Sequence, residues 1–156
     1  MIEAPSELPP QRNPALVRGV ATAAYLAAII ALWGFGTWRL GGDVVGSPSF
    51  DWLLGPTMAL AAGVATWLSL ARSGRRALWV RALVSAVLAH ASMLLVVFAF
   101  HAIGASSGLW EWMPLILLVF AINPFVIAAA LLSGVTVLVA AALTRREERK
   151  RLSSSK

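Results

Sequence analysis

From Gly19 to Trp38 the chain runs for twenty residues without a charged side chain. An α-helix of that length, at 1.5 Å per residue, covers the roughly 30 Å hydrocarbon core of a bilayer. Further apolar runs occupy 52–71, 82–103 and 109–143. Hydrophobic residues make up 59% of the chain and charged residues 13%, against about 25% charged in an ordinary soluble domain. A water-soluble fold of this size could not cover so much apolar surface. In lipid the outward side chains need no protein cover, provided every backbone polar group is paired internally. The expected fold is therefore an all-α integral membrane protein with four transmembrane helices arranged as two hairpins.

The order of signals along the chain sets the organisation. Residues 1–13 are polar and carry Pro5, Pro9 and Pro10, a composition that reads as a disordered tail. The acidic residues in it do not suit a secretory leader, whose first part is basic. Asn13-Pro14 is a helix-start signal, because asparagine caps free amides and proline at the first position gives up a donor that had no partner. Four spans are expected at about 16–38, 52–71, 82–103 and 125–143, within a transmembrane domain covering 14–144 and followed by a basic tail at 145–156. Gly41, Gly42, Gly46 and Pro48 mark a loop between the first two spans, and Asp51 stands where a carboxylate can meet the positive end of a helix dipole.

The fourth apolar region is too long for one straight span. Asn123-Pro124 breaks it, since proline removes an internal hydrogen bond and disfavours helical geometry in the residue before it. The preferred reading makes Leu109–Ile122 a short interfacial helix anchored by Trp110 and Trp112. The alternative is one long helix kinked at Pro124.

Orientation follows from the basic residues. Arg72, Arg75, Arg76 and Arg81 lie in a loop expected at Ala71–Arg81. With both termini cytoplasmic, twelve of the thirteen Lys and Arg face inward and only Arg39 faces out, which is the positive-inside pattern. The same four arginines are positioned to meet anionic lipid. The arginine-rich, Ala-, Leu- and Val-rich composition points to a bacterial plasma membrane. A net charge of +6 raises nucleic acid as a partner. However, the charges flank apolar runs and are not interleaved with stacking aromatics, so no nucleic acid is expected.

Few residues offer chemistry. The chain has no cysteine, which removes thiolate metal sites and disulfides. All seven carboxylates fall outside the spans, and no nucleophile–base pair, metal cluster or phosphate loop is visible. No enzyme activity, cofactor or metal is expected. His90 and His101 are the ionisable groups inside an apolar run, nearly three turns apart on one face with Ala82, Ala86, Met93 and Val97. His90 is expected to point into the bundle and hydrogen-bond there. Gly55, Ala59 and Gly63, and Ala130 and Gly134, form small-residue stripes that allow close helix approach. The six hydroxyl residues Thr57, Thr66, Ser85, Ser92, Ser133 and Thr136 are read as packing groups.

A weak repeat pairs Asp51-Trp52 and Pro56 with Glu111-Trp112 and Pro114. The functional expectation is a small polytopic membrane protein acting through helix packing, as an accessory subunit or homo-oligomer, with lipid and itself or another membrane protein as partners. The alternatives are a small-solute transporter using His90 and the Asn123-Pro124 break, and a haem-binding subunit in which a homodimer, a methionine such as Met58 or a partner chain would complete the ligation begun by His90.

Overall fold

The computed structural model describes residues 13–40, 51–72, 77–104 and 109–154. The expected tail at 1–12, the glycine-rich loop at 41–50, and Arg75 and Arg76 lie outside the described residues. Five α-helices follow in order: α1 (Pro14–Leu40), α2 (Asp51–Ala71), α3 (Leu78–Gly104), α4 (Met113–Ala121) and α5 (Pro124–Ser154), with a 3-10 turn at Leu109–Trp112 before α4. Among the described residues there is no strand. Four of the helices, over Ala15–Arg39, Leu53–Ala71, Leu78–Ile103 and Pro124–Arg146, are long and apolar enough to cross a membrane.

Helix starts follow local chemistry. The Asn13 side chain accepts from the Ala15 amide at 3.0 Å, and its carbonyl accepts from Leu16 and Val17, which pairs amides that the first turn would leave free. At the start of α3 the structure departs from expectation. Trp79 and Arg81 belong to the helix, so the turn between α2 and α3 is shorter than Ala71–Arg81. A charge-free run marks where hydrocarbon begins, whereas a helix begins where its amides pair. A long arginine side chain lets the two differ by a turn. At the other end of the chain α5 continues to Ser154, past Ser153, where the composition suggests fraying.

The helices pack up-down-up-down. Gly55 and Gly63 of α2 meet Trp33 and Leu26 of α1, and Tyr25 and Trp33 of α1 meet Ala129 and Phe125 of α5. Gly134 of α5 meets Ala82 and Ala86 of α3. Residue numbers run in opposite directions along the first two of these contacts, so α1 is antiparallel to both α2 and α5. The most extensive contacts join α3 to α5 and α2 to α3, while α1 rests on α2 and α5. The core is formed by Tyr25, Ile29, Leu54, Met58, Ala62, Ala89, Met93, Val97, Phe120, Val126, Ala129 and Ala130. On α3 the buried residues are Ser85, Ala89, Met93 and Val97, each four apart, which is one helix face. Outside the core large apolar side chains stay exposed on every long helix, among them Ile30, Leu60, Leu95 and Leu131. That is the surface a lipid solvent requires.

The region before α5 is a separate helix. Pro124 starts α5, and Asn123 caps it: the Asn123 side chain accepts from the Phe125 amide at 2.9 Å while its carbonyl accepts from Ile127 at 3.0 Å. Trp110 packs on Phe98 and Phe120 packs on His101, with centroids 6.2 and 6.3 Å apart. Trp110 and Phe120, ten residues apart, thus meet positions only three residues apart on α3, whereas a helix lying parallel to α3 would spread the two contacts over about 15 Å. Met113 and Phe120 of the segment are buried. This arrangement also separates the two halves of the expected repeat. Asp51 and Trp52 open a long helix, α2, whereas Glu111, Trp112 and Pro114 open the short helical segment before α5.

Candidate functional site

The centre of the bundle holds a cluster of hydroxyls from all four long helices. Ser133 on α5 lies 2.8 Å from Thr66 on α2 and 2.8 Å from Ser85 on α3. Thr66 donates to the Ala62 carbonyl at 2.8 Å, and the Tyr25 hydroxyl of α1 donates to the Ala129 carbonyl at 3.1 Å beside the Thr66 side chain. A hydroxyl has one proton. With the Thr66 proton on Ala62, a chain can run from Ser85 to Ser133, from Ser133 to Thr66, and from Thr66 to the backbone, while the Ser85 carbonyl, 3.4 Å from Ser133 Oγ, is a second acceptor for the Ser133 proton. Bonds in such a chain polarise one another in the same sense. All four side chains are buried, so the cluster joins helices and presents no polar surface to a solute.

Ser133 is the node of this cluster. Ser133→Ala is expected to reduce the free energy of unfolding in detergent by about 1–2 kcal/mol, within the range of interhelical hydrogen bonds in membranes. Ser92→Ala is expected to change it little, because Ser92 donates within its own helix, to Ala89. Equal losses for the two variants would remove the network's role. Thr57, Ser69 and Thr136 also bond back to their own helices. Thr22 Oγ1, one turn before Tyr25, is buried with no partner among the described residues.

His90 lies at the flank of the buried α3 face and is half-buried. The expected hydrogen bond is not formed: no partner for His90 occurs among the described residues. The core-facing stripe is centred on Ala89, so the histidine one position on is rotated about 100° away from it. By the register set at Gly134 and Ala86, His90 stands one turn further along α3 at the level of Ala130. His101 has partners. Its Nδ1 lies 2.9 Å from the Val97 carbonyl, and its ring meets the Phe120 edge. The two histidines therefore do not share an environment. Met58 is 3% exposed within the packed core.

The small-residue stripes are occupied within the chain. A Cβ at Gly55 would fall 1.5 Å from the Trp33 ring, one at Gly63 would fall 2.9 Å from Leu26, and one at Gly134 would fall 2.9 Å from the Ala82 carbonyl oxygen. Ala59 packs against the core, and Ala130 is buried in it. The Asn123-Pro124 break sits where α4 meets α5, with the Ile122 and Asn123 amides bonded to Leu118 and Phe120. Arg72 closes α2, Arg81 lies in α3, and neither adjoins the hydroxyl cluster in sequence.

Residues 10–155 match DUF6121, a family of unknown function. The chain belongs to this family. No curated protein and no solved structure matches it. The DUF6121 match covers all four long helices and α4 together, so the hydroxyl cluster and α4 both fall within the family region. Among the described residues no group of three or more metal-ligating side chains occurs.

Proposed function

We propose that this DUF6121 protein is a non-catalytic, multi-pass membrane protein that works by lateral association in the bilayer, as an accessory subunit or a homo-oligomer. The observation that carries this reading is the outer face of α4. Leu115, Leu118, Val119 and Ile122 are all more than half exposed there, while Met113 and Phe120 face the core. On this reading α4 is a short interfacial helix, and such a helix meets headgroups and water and normally sets a polar face outward. This helix is apolar on both sides, and a partner helix is the cover that suits it. The small-residue stripes are already filled by Trp33, Leu26, Ala82 and Ala86, so they offer no face for close association with a partner. The reading places both termini in the cytoplasm, on the strength of the twelve-to-one distribution of basic residues, and takes the membrane to be a bacterial plasma membrane on composition.

The absence of cysteine makes the test direct. A thiol-anchored photocrosslinker at Leu118→Cys is expected to trap a second copy or one defined membrane protein. The same reagent at Leu60→Cys, on the exposed side of α2, is expected to trap lipid. A strictly monomeric mass in mild detergent, together with no protein adduct at Leu118, sinks the proposal.

A second reading, passage of a small solute, rests on His90. An ionisable side chain within a span and without a polar partner is a functional candidate by default. It predicts that His90→Ala abolishes an uptake or resistance phenotype while protein levels stay normal. Retention of the phenotype would remove it.

A further inference from the structure

Between α2 and α3 a groove of about 280 Å³ opens on the side of the bundle, lined by Ala65, Leu68, Arg72, Leu88, Ala91, Ser92 and Leu95. Its walls are apolar, since the Ser92 hydroxyl is already bonded to Ala89. The exception is one end. Arg72, the residue after the end of α2, lines this end of the groove, and Arg81 stands seven residues before Leu88 on α3. A spacing of seven is close to two turns, so Arg81 shares the face of α3 that carries Leu88. Arg72 is exposed and has no acidic partner among the described residues. Arg81 is half-buried, and its Nε is shielded from solvent with no hydrogen-bond partner there. Asp51 and Glu111 start elements at the opposite end of the bundle.

We infer that this groove is a binding site for an anionic phospholipid. One acyl chain lies along Leu68, Leu88, Ala91 and Leu95, and the phosphate sits between Arg72 and Arg81. The volume falls just below the range for small-molecule sites, about 300–1,000 Å³, which suits part of one chain rather than a whole lipid. The guanidinium of Arg72 offers paired donors matched to phosphate oxygens, and the unpartnered Nε of Arg81 gains an acceptor. A zwitterionic lipid fills the apolar part equally but sets a cationic head against the same arginines.

The full-length protein, purified in a neutral mild detergent, tests this by native mass spectrometry with phosphatidylglycerol or phosphatidylcholine added at equal concentration. Preferential retention of phosphatidylglycerol is expected. Arg72→Gln and Arg81→Gln should each weaken that retention about fivefold, the effect of one basic residue near an anionic surface. Ala91→Trp, an exposed change that fills the groove, should weaken retention of both lipids and leave the charge intact. Arg145→Gln, on the exposed extension of α5, should leave retention unchanged. Equal retention of the two lipids by the unaltered protein would overturn the inference, as would a loss at Arg145→Gln matching that at Arg72→Gln. So would competition by inorganic phosphate at the lipid's concentration, which would mark a simple anion site.

Discussion

Gly134→Leu is expected to prevent the folded bundle from accumulating, and Gly134→Ala to reduce its unfolding free energy by about 1–3 kcal/mol. The reason is the nature of the neighbour. A Cβ at Gly134 would stand 2.9 Å from the Ala82 carbonyl oxygen and 3.4 Å from the Ala86 Cβ. A backbone oxygen cannot rotate away, so α3 and α5 must separate. These two helices share the most extensive contact in the bundle. Separation would also stretch the 2.8 Å bond between Ser85 and Ser133, one residue from the glycine. Gly34→Ala provides the control: nothing lies within 4 Å of its Cβ position, and alanine is favoured over glycine inside a helix by up to about 1 kcal/mol. Unfolding in mixed micelles, followed by circular dichroism, should thus show opposite signs for the two alanine variants. Equal behaviour would mean that α3 and α5 do not approach at Gly134 as described.

The next largest effect is expected at Gly55. Its Cβ position is filled by the Trp33 ring, which also meets the Phe125 ring edge-on at a centroid distance of 6.1 Å. Any side chain at Gly55 must displace the indole and break its contact with α5. Gly55→Val is expected to destabilise the protein by about 2–3 kcal/mol, in the upper range for overpacking. Here the obstacle is a side chain, which makes the loss reversible. Trp33→Leu should by itself be destabilising through the cavity it leaves, yet the Gly55→Val, Trp33→Leu double variant should be more stable than the sum of the two losses. Strict additivity would show that the two positions are not in contact. Gly134 has no such rescue, because its neighbour is backbone.

These two glycines show how far the sequence could be read. Their spacing announced close helix contacts, but a small residue says nothing about which surface approaches it. The tertiary arrangement supplies Trp33 and Ala82, both from the same chain. The hydroxyl cluster was half legible. Thr66, Ser85 and Ser133 stood out as polar groups in apolar runs, and a lone serine can always bond back to its own helix, as Ser92 does. Tyr25 was missed. It is the single tyrosine in the chain and lies in mid-span, far from the interfaces where tyrosine is usually enriched, and that displacement was the available signal. His90 was read from a face shared with Met93 and Val97. A rotation of about one residue put Ala89 in the core and His90 at its flank.

The sequence alone determined what depends on counting along the chain. Helix number, the break at Asn123-Pro124 and the cap at Asn13 follow from run length, proline chemistry and the amides of a first turn, all of which are local. The tertiary structure decided which faces meet. It directed the small-residue stripes inward, joined Tyr25, Thr66, Ser85 and Ser133 from four helices, and left an apolar face of α4 exposed. In spans that are apolar on every side, the hydrophobic pattern carries no rotational information. Side-chain shape and a few hydroxyls set the rotation of each helix, and they act only once the helices are packed.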